Sequence, residues 1–182
     1  MNYLPEKTEE LSTLEINSNL ILFDLSNNKE LLKIDNILPG KYKIFKNVVQ
    51  DYIEDDVHSI FAHAFVLHES IAAKDLSTHN WNHKDKLYFD FFMDEAYMGL
   101  FTSPIGLKQF EEKNPTFEDA VNNPEMVQTF DSGLAFSFPY ADDGFPIELI
   151  KVEEKIIGFR IQSIGKEFCL EDIKNHKSKP KI

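Results

Sequence analysis

Residues 145–161 read FPIELIKVEEKIIGFRI. Phe145–Val152 and Lys155–Ile161 are apolar-rich runs on either side of Glu153-Glu154. That arrangement predicts a β-hairpin turning at the two glutamates. The lead-in, Tyr140-Ala141-Asp142-Asp143-Gly144, has the residues that a tight backbone turn requires. It also poses a chemical question, because Asp-rich turns can hold calcium. An EF-hand loop with its glycine at Gly144 needs a first ligand at Pro139 and a final acid at Ile150, and both positions fail.

Working outward, the rest of the chain is also built from short apolar runs broken by turn residues. Leu20–Leu25, Leu31–Asp35, Lys41–Val49, Val57–His68, Leu87–Met93, Met98–Phe101 and Leu134–Phe138 read as strands. Val57–His68 has few polar breaks and is expected to be buried on both faces. Asp51–Asp56 reads as an acidic loop and Ser77–Lys86 as a polar one. Ser103–Asn114 carries helix signals, with Ser103 as cap, Pro104 at the first position, and Leu107 and Phe110 on one face. Thr116–Val121 repeats the signal, and Asp119 completes a capping box. The expected fold is mainly β (α+β), an antiparallel β-sandwich-like or two-layer domain with one or two short helices near residues 103–122. A doubly wound nucleotide-binding fold is excluded, because strand–helix alternation and a Gly-rich phosphate loop are both missing.

A chain of 182 residues with 42% hydrophobic content and 16 Phe is sized for one domain with an aromatic core. The expected layout is a flexible acidic lead over 1–12, a globular body over 13–173 and a basic flexible tail over 174–182. The formal net charge of −12 repels phosphate backbones and argues against nucleic acid as a partner. The same charge keeps a protein soluble, and it steers encounter with a basic partner. Cys169 is the single cysteine, so an intrachain disulfide and a Cys zinc cluster are excluded. Its apolar neighbours mark it as a buried structural thiol. The first residues lack a basic and then apolar signal pattern, and the longest apolar runs fall short of the ~20 residues of a membrane helix. The expectation is a cytoplasmic protein with no membrane partner.

Five of the six histidines fall between His58 and His83. The five-residue spacing of His58, His63 and His68 does not gather them on one metal, whether on strand or helix. His79 and His83 flank Trp81 in an Asn-rich stretch read as a loop, so no metal and no cofactor is expected. Ser132 lacks a nucleophile-elbow context. Paired acids at 55–56, 111–112, 142–143 and 153–154 fit solvated turns and helix faces.

Three segments in order carry a resemblance. They are Pro39–Ile44 (PGKYKI), Met93–Phe101 (MDEAYMGLF) and Asp142–Ile147 (DDGFPI), with Ile156–Ile161 (IIGFRI) behind them. Together they resemble an uncharacterised bacterial domain family with the motifs PPGxYPV, VDSGxMGFFD and GDGxYPV, over roughly residues 14–163. Asp94 and Asp143 match the family's acids. Ala96, Thr102 and Asp142 depart from it, standing where the family has Gly, Asp and Gly. The resemblance implies a small cytoplasmic β-rich protein, in some cases encoded beside a toxin, from a family with no established enzymatic activity.

The resulting expectation is a non-catalytic binding protein, of the immunity type, that neutralises a basic partner. Trp81, Tyr97 and Tyr140 are candidate partner-binding anchors. An enzyme or divalent-metal-dependent ligand binder using Asp94, Asp131, Asp142 and Asp143 is the alternative, and a structural or assembly protein is a third. The oligomeric state is left open.

Overall fold

A computed structural model describes residues 4–53, 56–71, 82–88, 96–123, 127–138 and 146–162. The hairpin expected at its C-terminal end is present. β10 (Pro146–Val152) and β11 (Lys155–Gln162) pair antiparallel, from Val152 opposite Lys155 to Ile147 opposite Ile161. Glu153, the first residue of the connection, takes φ 55°.

Around this hairpin the chain forms two antiparallel sheets. The remaining strands are β1 (Leu4–Ile16), β2 (Leu20–Asp24), β3 (Lys29–Ile34), β4 (Gly40–Ile53), β5 (Asp56–His68), β6 (Asn82–Tyr88), β7 (Ala96–Phe101), β8 (Val127–Phe130) and β9 (Gly133–Phe138). One sheet has the order β1-β4-β5-β11-β10-β6 and the other β3-β2-β7-β9-β8. The fold is thus the β-rich sandwich with two short helices that the sequence predicted.

Strand periodicity explains how the layers meet. Alternate residues of a strand point to opposite faces. Tyr42 and Ile44, Ala64 and Val66, Ile147 and Leu149, and Phe159 and Ile161 enter the core from the six-stranded sheet. Leu20 and Leu22, Met98 and Leu100, and Leu134 and Phe136 enter it from the five-stranded sheet. The intervening residues Ile21, Phe23, Tyr97, Phe101 and Ala135 lie on the second face of the five-stranded sheet. Helices α1 (Ile105–Lys113) and α2 (Phe117–Val121) cover that face with Phe110 and Ala120. This is why β2 is buried at every position and shows no alternation in its sequence. On the second face of the six-stranded sheet Phe45, Phe65, Leu67 and Ile150 are also buried. Ile71 reaches this face where Gly158 leaves room, since a Cβ there would stand 2.9 Å from Leu67 Cδ2 and 3.3 Å from Ile71 Cδ1.

The structure corrects four expectations. Residues 4–12, read as a flexible lead, belong to β1, which pairs with β4 from Leu4 opposite Gln50 to Ile16 opposite Gly40. Their acids hid the strand, because lysines of β4 neutralise them across the ladder: Glu10 pairs with Lys43 at 2.9 Å and Glu9 with Lys46 at 3.2 Å. Of Asp51–Asp56, read as an acidic loop, Asp51–Ile53 belong to β4 and Asp56 to β5, paired up to Ile53 opposite Asp56, and Glu54 and Asp55 lie outside the described residues. Asn82–Lys86, read as loop, lies in β6, which among the described residues is an edge strand paired with β10, a position where polar sequence is tolerated. Pro104 is the N-cap of α1 and not its first helical residue, while Ser103 Oγ accepts from Ile105 N at 3.3 Å. The capping box of α2 forms as read, with Thr116 and Asp119 bonding reciprocally. Cys169 and the 174–182 tail lie outside the described residues.

Candidate functional site

Of the four acids proposed as a ligand set, Asp131 lies within the described residues, and Asp94, Asp142 and Asp143 lie outside them. Asp131 is exposed in the β8–β9 turn, where its Oδ2 accepts from Gln109 Nε2 of α1 at 3.1 Å. That bond ties the turn to the helix. Among the described residues, no group of three or more His, Cys, Asp or Glu could hold a metal ion.

Of the three proposed aromatic anchors, Trp81 and Tyr140 lie outside the described residues. Tyr97 lies inside them, and its expected role is corrected. It is 4% exposed in β7, packed against Phe110 and Phe117 of the helices. Its hydroxyl accepts from Gln128 Nε2 at 3.0 Å, and Gln128 exchanges bonds with Asn114 beyond it. Buried amides and hydroxyls need such partners. Tyr97 is therefore a core residue that locks the helical layer onto the sheet.

Other polar groups hold the fold. Asp24 ends β2 almost fully buried, and its carboxylate accepts from Ser26 N, Ser26 Oγ and Asn27 Nδ2, closing the turn into β3. Tyr42 donates to Leu38 O at 2.7 Å, with Ile156 O a second acceptor at 3.2 Å. Ile156 O also takes Leu38 N at 2.8 Å, so this one phenol fastens the crossover after β3 to the β10–β11 turn. Burial pushes the Tyr42 phenol well above its ordinary pKa. Ser70 N donates to His68 Nδ1 at 3.2 Å, which makes that nitrogen the acceptor for the Ser70 hydroxyl, 2.8 Å away. A hydroxyl bonded to an imidazole is half of a nucleophile–base arrangement. Here both bonds fall within one exposed turn that Ile71 N closes onto His68 O, and they staple that turn.

Glu148 and Arg160 stand opposite each other on β10 and β11 and form a buried ion pair, 0% and 3% exposed. In the same cross-strand row, Phe65 stands opposite Arg160 and Phe45 opposite Phe65. The sequence offered no signal for this pair, since both residues look like ordinary polar positions of a half-exposed hairpin. Only the burial of the second sheet face turns them into a desolvated contact.

No helix among the described residues is long and apolar enough to cross a membrane. Compared with known proteins, the chain matches no family model, no curated protein and no solved structure.

Proposed function

We propose that this chain is a non-catalytic, acidic binding protein whose partner is a basic protein. The observation that carries the proposal is the formal net charge of −12 on 182 residues. A surface field of one sign accelerates encounter with the opposite sign and repels nucleic acid. Two features support the reading. Buried Asp24, Tyr97, Asn114 and Gln128 bond within the fold to hold turns and layers, and Asp131 is bound to the adjacent helix. Neutralisation of a basic toxin is the specific form the resemblance implies.

The test is association of the purified chain with basic proteins encoded beside its gene, followed at low salt and at physiological salt. Steered association slows as the screening length contracts to about 8 Å near physiological ionic strength. The expected result is a complex whose on-rate falls with added salt. Failure of every such basic protein to bind at either salt concentration refutes the proposal.

A further inference from the structure

His68 and Ser70 form a latch where the chain leaves β5. We infer that this latch is a pH-sensitive switch: protonation of His68 releases the 68–71 turn and loosens the seat of Ile71 on the second face of the six-stranded sheet.

His68 is the last residue of β5 and stands opposite Tyr42 of β4. Its ring meets the Tyr42 ring edge-on, with centroids 5.1 Å apart. Its Nε2 edge lies over Gly40, where a Cβ would collide with that nitrogen. The imidazole is thus held from two sides, and Nδ1 faces the turn. There Ser70 N donates to Nδ1 at 3.2 Å, and Ser70 Oγ lies 2.8 Å from it. A ring turned over about Cβ–Cγ would offer a carbon to both groups, so the two bonds fix its orientation. A backbone N–H only donates, so Nδ1 keeps its lone pair and the single ring proton sits on Nε2.

A second proton on the ring removes that acceptor. The Ser70 hydroxyl can rotate and accept from the new N–H, but the backbone N–H of Ser70 cannot reverse, and two donors then face each other. Glu69 and Ser70 are exposed, so water takes up the freed amide and opening leaves no buried orphan. The remaining ties of the turn are Ile71 N to His68 O and Glu69 N to Lys41 O, both at 2.9 Å. Ile71 is buried beside Gly158, and its position follows directly from the turn. Among the described residues, His68 has no ion pair to offset the new charge. The titratable groups next to it are Tyr42, whose pKa burial raises, and Glu69. Lys41 and Lys43 alternate with Tyr42 along β4 and point to the opposite face.

The test is solvent-exchange NMR on the full chain at pH 8 and pH 5, on either side of the ordinary imidazole range, with rates corrected for the intrinsic pH dependence of exchange. Protection at Ser70 should fall about fivefold at pH 5, the equivalent of one hydrogen bond, and Ile71 should follow in the same direction. The ring nitrogen shifts of His68 should report the Nε2–H tautomer at pH 8. His68→Asn places Oδ1 where Nδ1 stands, and an asparagine oxygen accepts from the amide two residues on without titrating. Protection in that variant should be the same at both pH values, whereas Glu69→Gln should keep the wild-type fall. Unchanged Ser70 protection in the wild type, or an Nδ1–H tautomer at pH 8, overturns the switch. A fall that persists in His68→Asn, or that Glu69→Gln abolishes, assigns the response to another group and overturns it too. The first two readouts use the unmutated protein, so the switch stays refutable if a variant fails to fold.

Discussion

Tyr42→Phe removes one oxygen from the centre of the sandwich, and its cost follows from the contacts. The phenol donates to Leu38 O at 2.7 Å, and Ile156 O lies at 3.2 Å. Ile156 O keeps a second donor, Leu38 N, when the hydroxyl is removed. The loss is therefore one hydrogen bond and one under-satisfied carbonyl, Leu38 O, while the ring still fills its site against His68. One bond of this kind contributes about 1 kcal/mol net, and the part-buried acceptor it leaves brings the total to about 1–2 kcal/mol. For a chain of this size each kcal/mol lowers Tm by about 2–4 °C. Urea titration at pH 8 should show a lower midpoint with an unchanged slope.

The pH dependence makes the test sharper. Burial raises the folded-state pKa of this phenol above its unfolded value of about 10. Between the two values the folded protein holds a proton that the unfolded chain releases. The stabilisation is thus complete below pH ~10 and lost as pH rises towards the folded pKa, at about 1.4 kcal/mol per pH unit. By pH ~11.5 the wild type has lost about 2 kcal/mol that the phenylalanine variant retains. The two stability curves should converge above pH ~10 and meet or cross near pH ~11.5. Parallel curves through that range would refute the assignment of a neutral, buried phenol at Tyr42. A variant as stable as wild type at pH 8 would refute the hydrogen-bonded staple.

Two further outcomes follow from backbone and charge. Arg160→Met alone should cost about 3–5 kcal/mol by chemical denaturation, because it leaves the Glu148 carboxylate buried without its guanidinium, whereas Glu148→Leu with Arg160→Met should recover most of that loss. A single variant within about 1 kcal/mol of wild type would mean that water reaches the pair. Glu153→Gly should raise stability by about 0.5–1 kcal/mol, since φ 55° strains a side-chain-bearing residue at that turn. A lower Tm for this variant would show that the glutamate side chain makes a compensating contact.

Much of the architecture was legible wherever local signals and tertiary context agreed. The β10–β11 hairpin, β2, β9 and the capping box of α2 all have apolar runs or caps whose local preference matches their final environment. The misread segments share a different property. β1, the end of the β4–β5 hairpin and β6 are polar or acidic segments whose strand state comes from pairing with a neighbour. Their charge argues for loop until the partner strand is known. The candidate site divides in the same way. Asp131 was recognisable as a turn acid, but its bond to Gln109 connects residues 22 apart. Tyr97 is ambiguous in sequence because aromatic residues suit binding surfaces and cores equally well, and the helices covering β7 decide for the core.

By itself, the sequence determined the quantities that add residue by residue: the acidic charge, the β-rich class, the positions of the two helices and the failure of the Asp142-Asp143-Gly144 turn as an EF-hand. These follow from composition and from interactions within a few residues. Only the tertiary structure decided which polar residues are buried and which acids are neutralised. Glu148 and Arg160 become a buried ion pair, and Glu9 and Glu10 find lysines, because of how distant strands stack and in what register. Register and layering are set by the summed packing of the whole core, and no short window of sequence contains that sum.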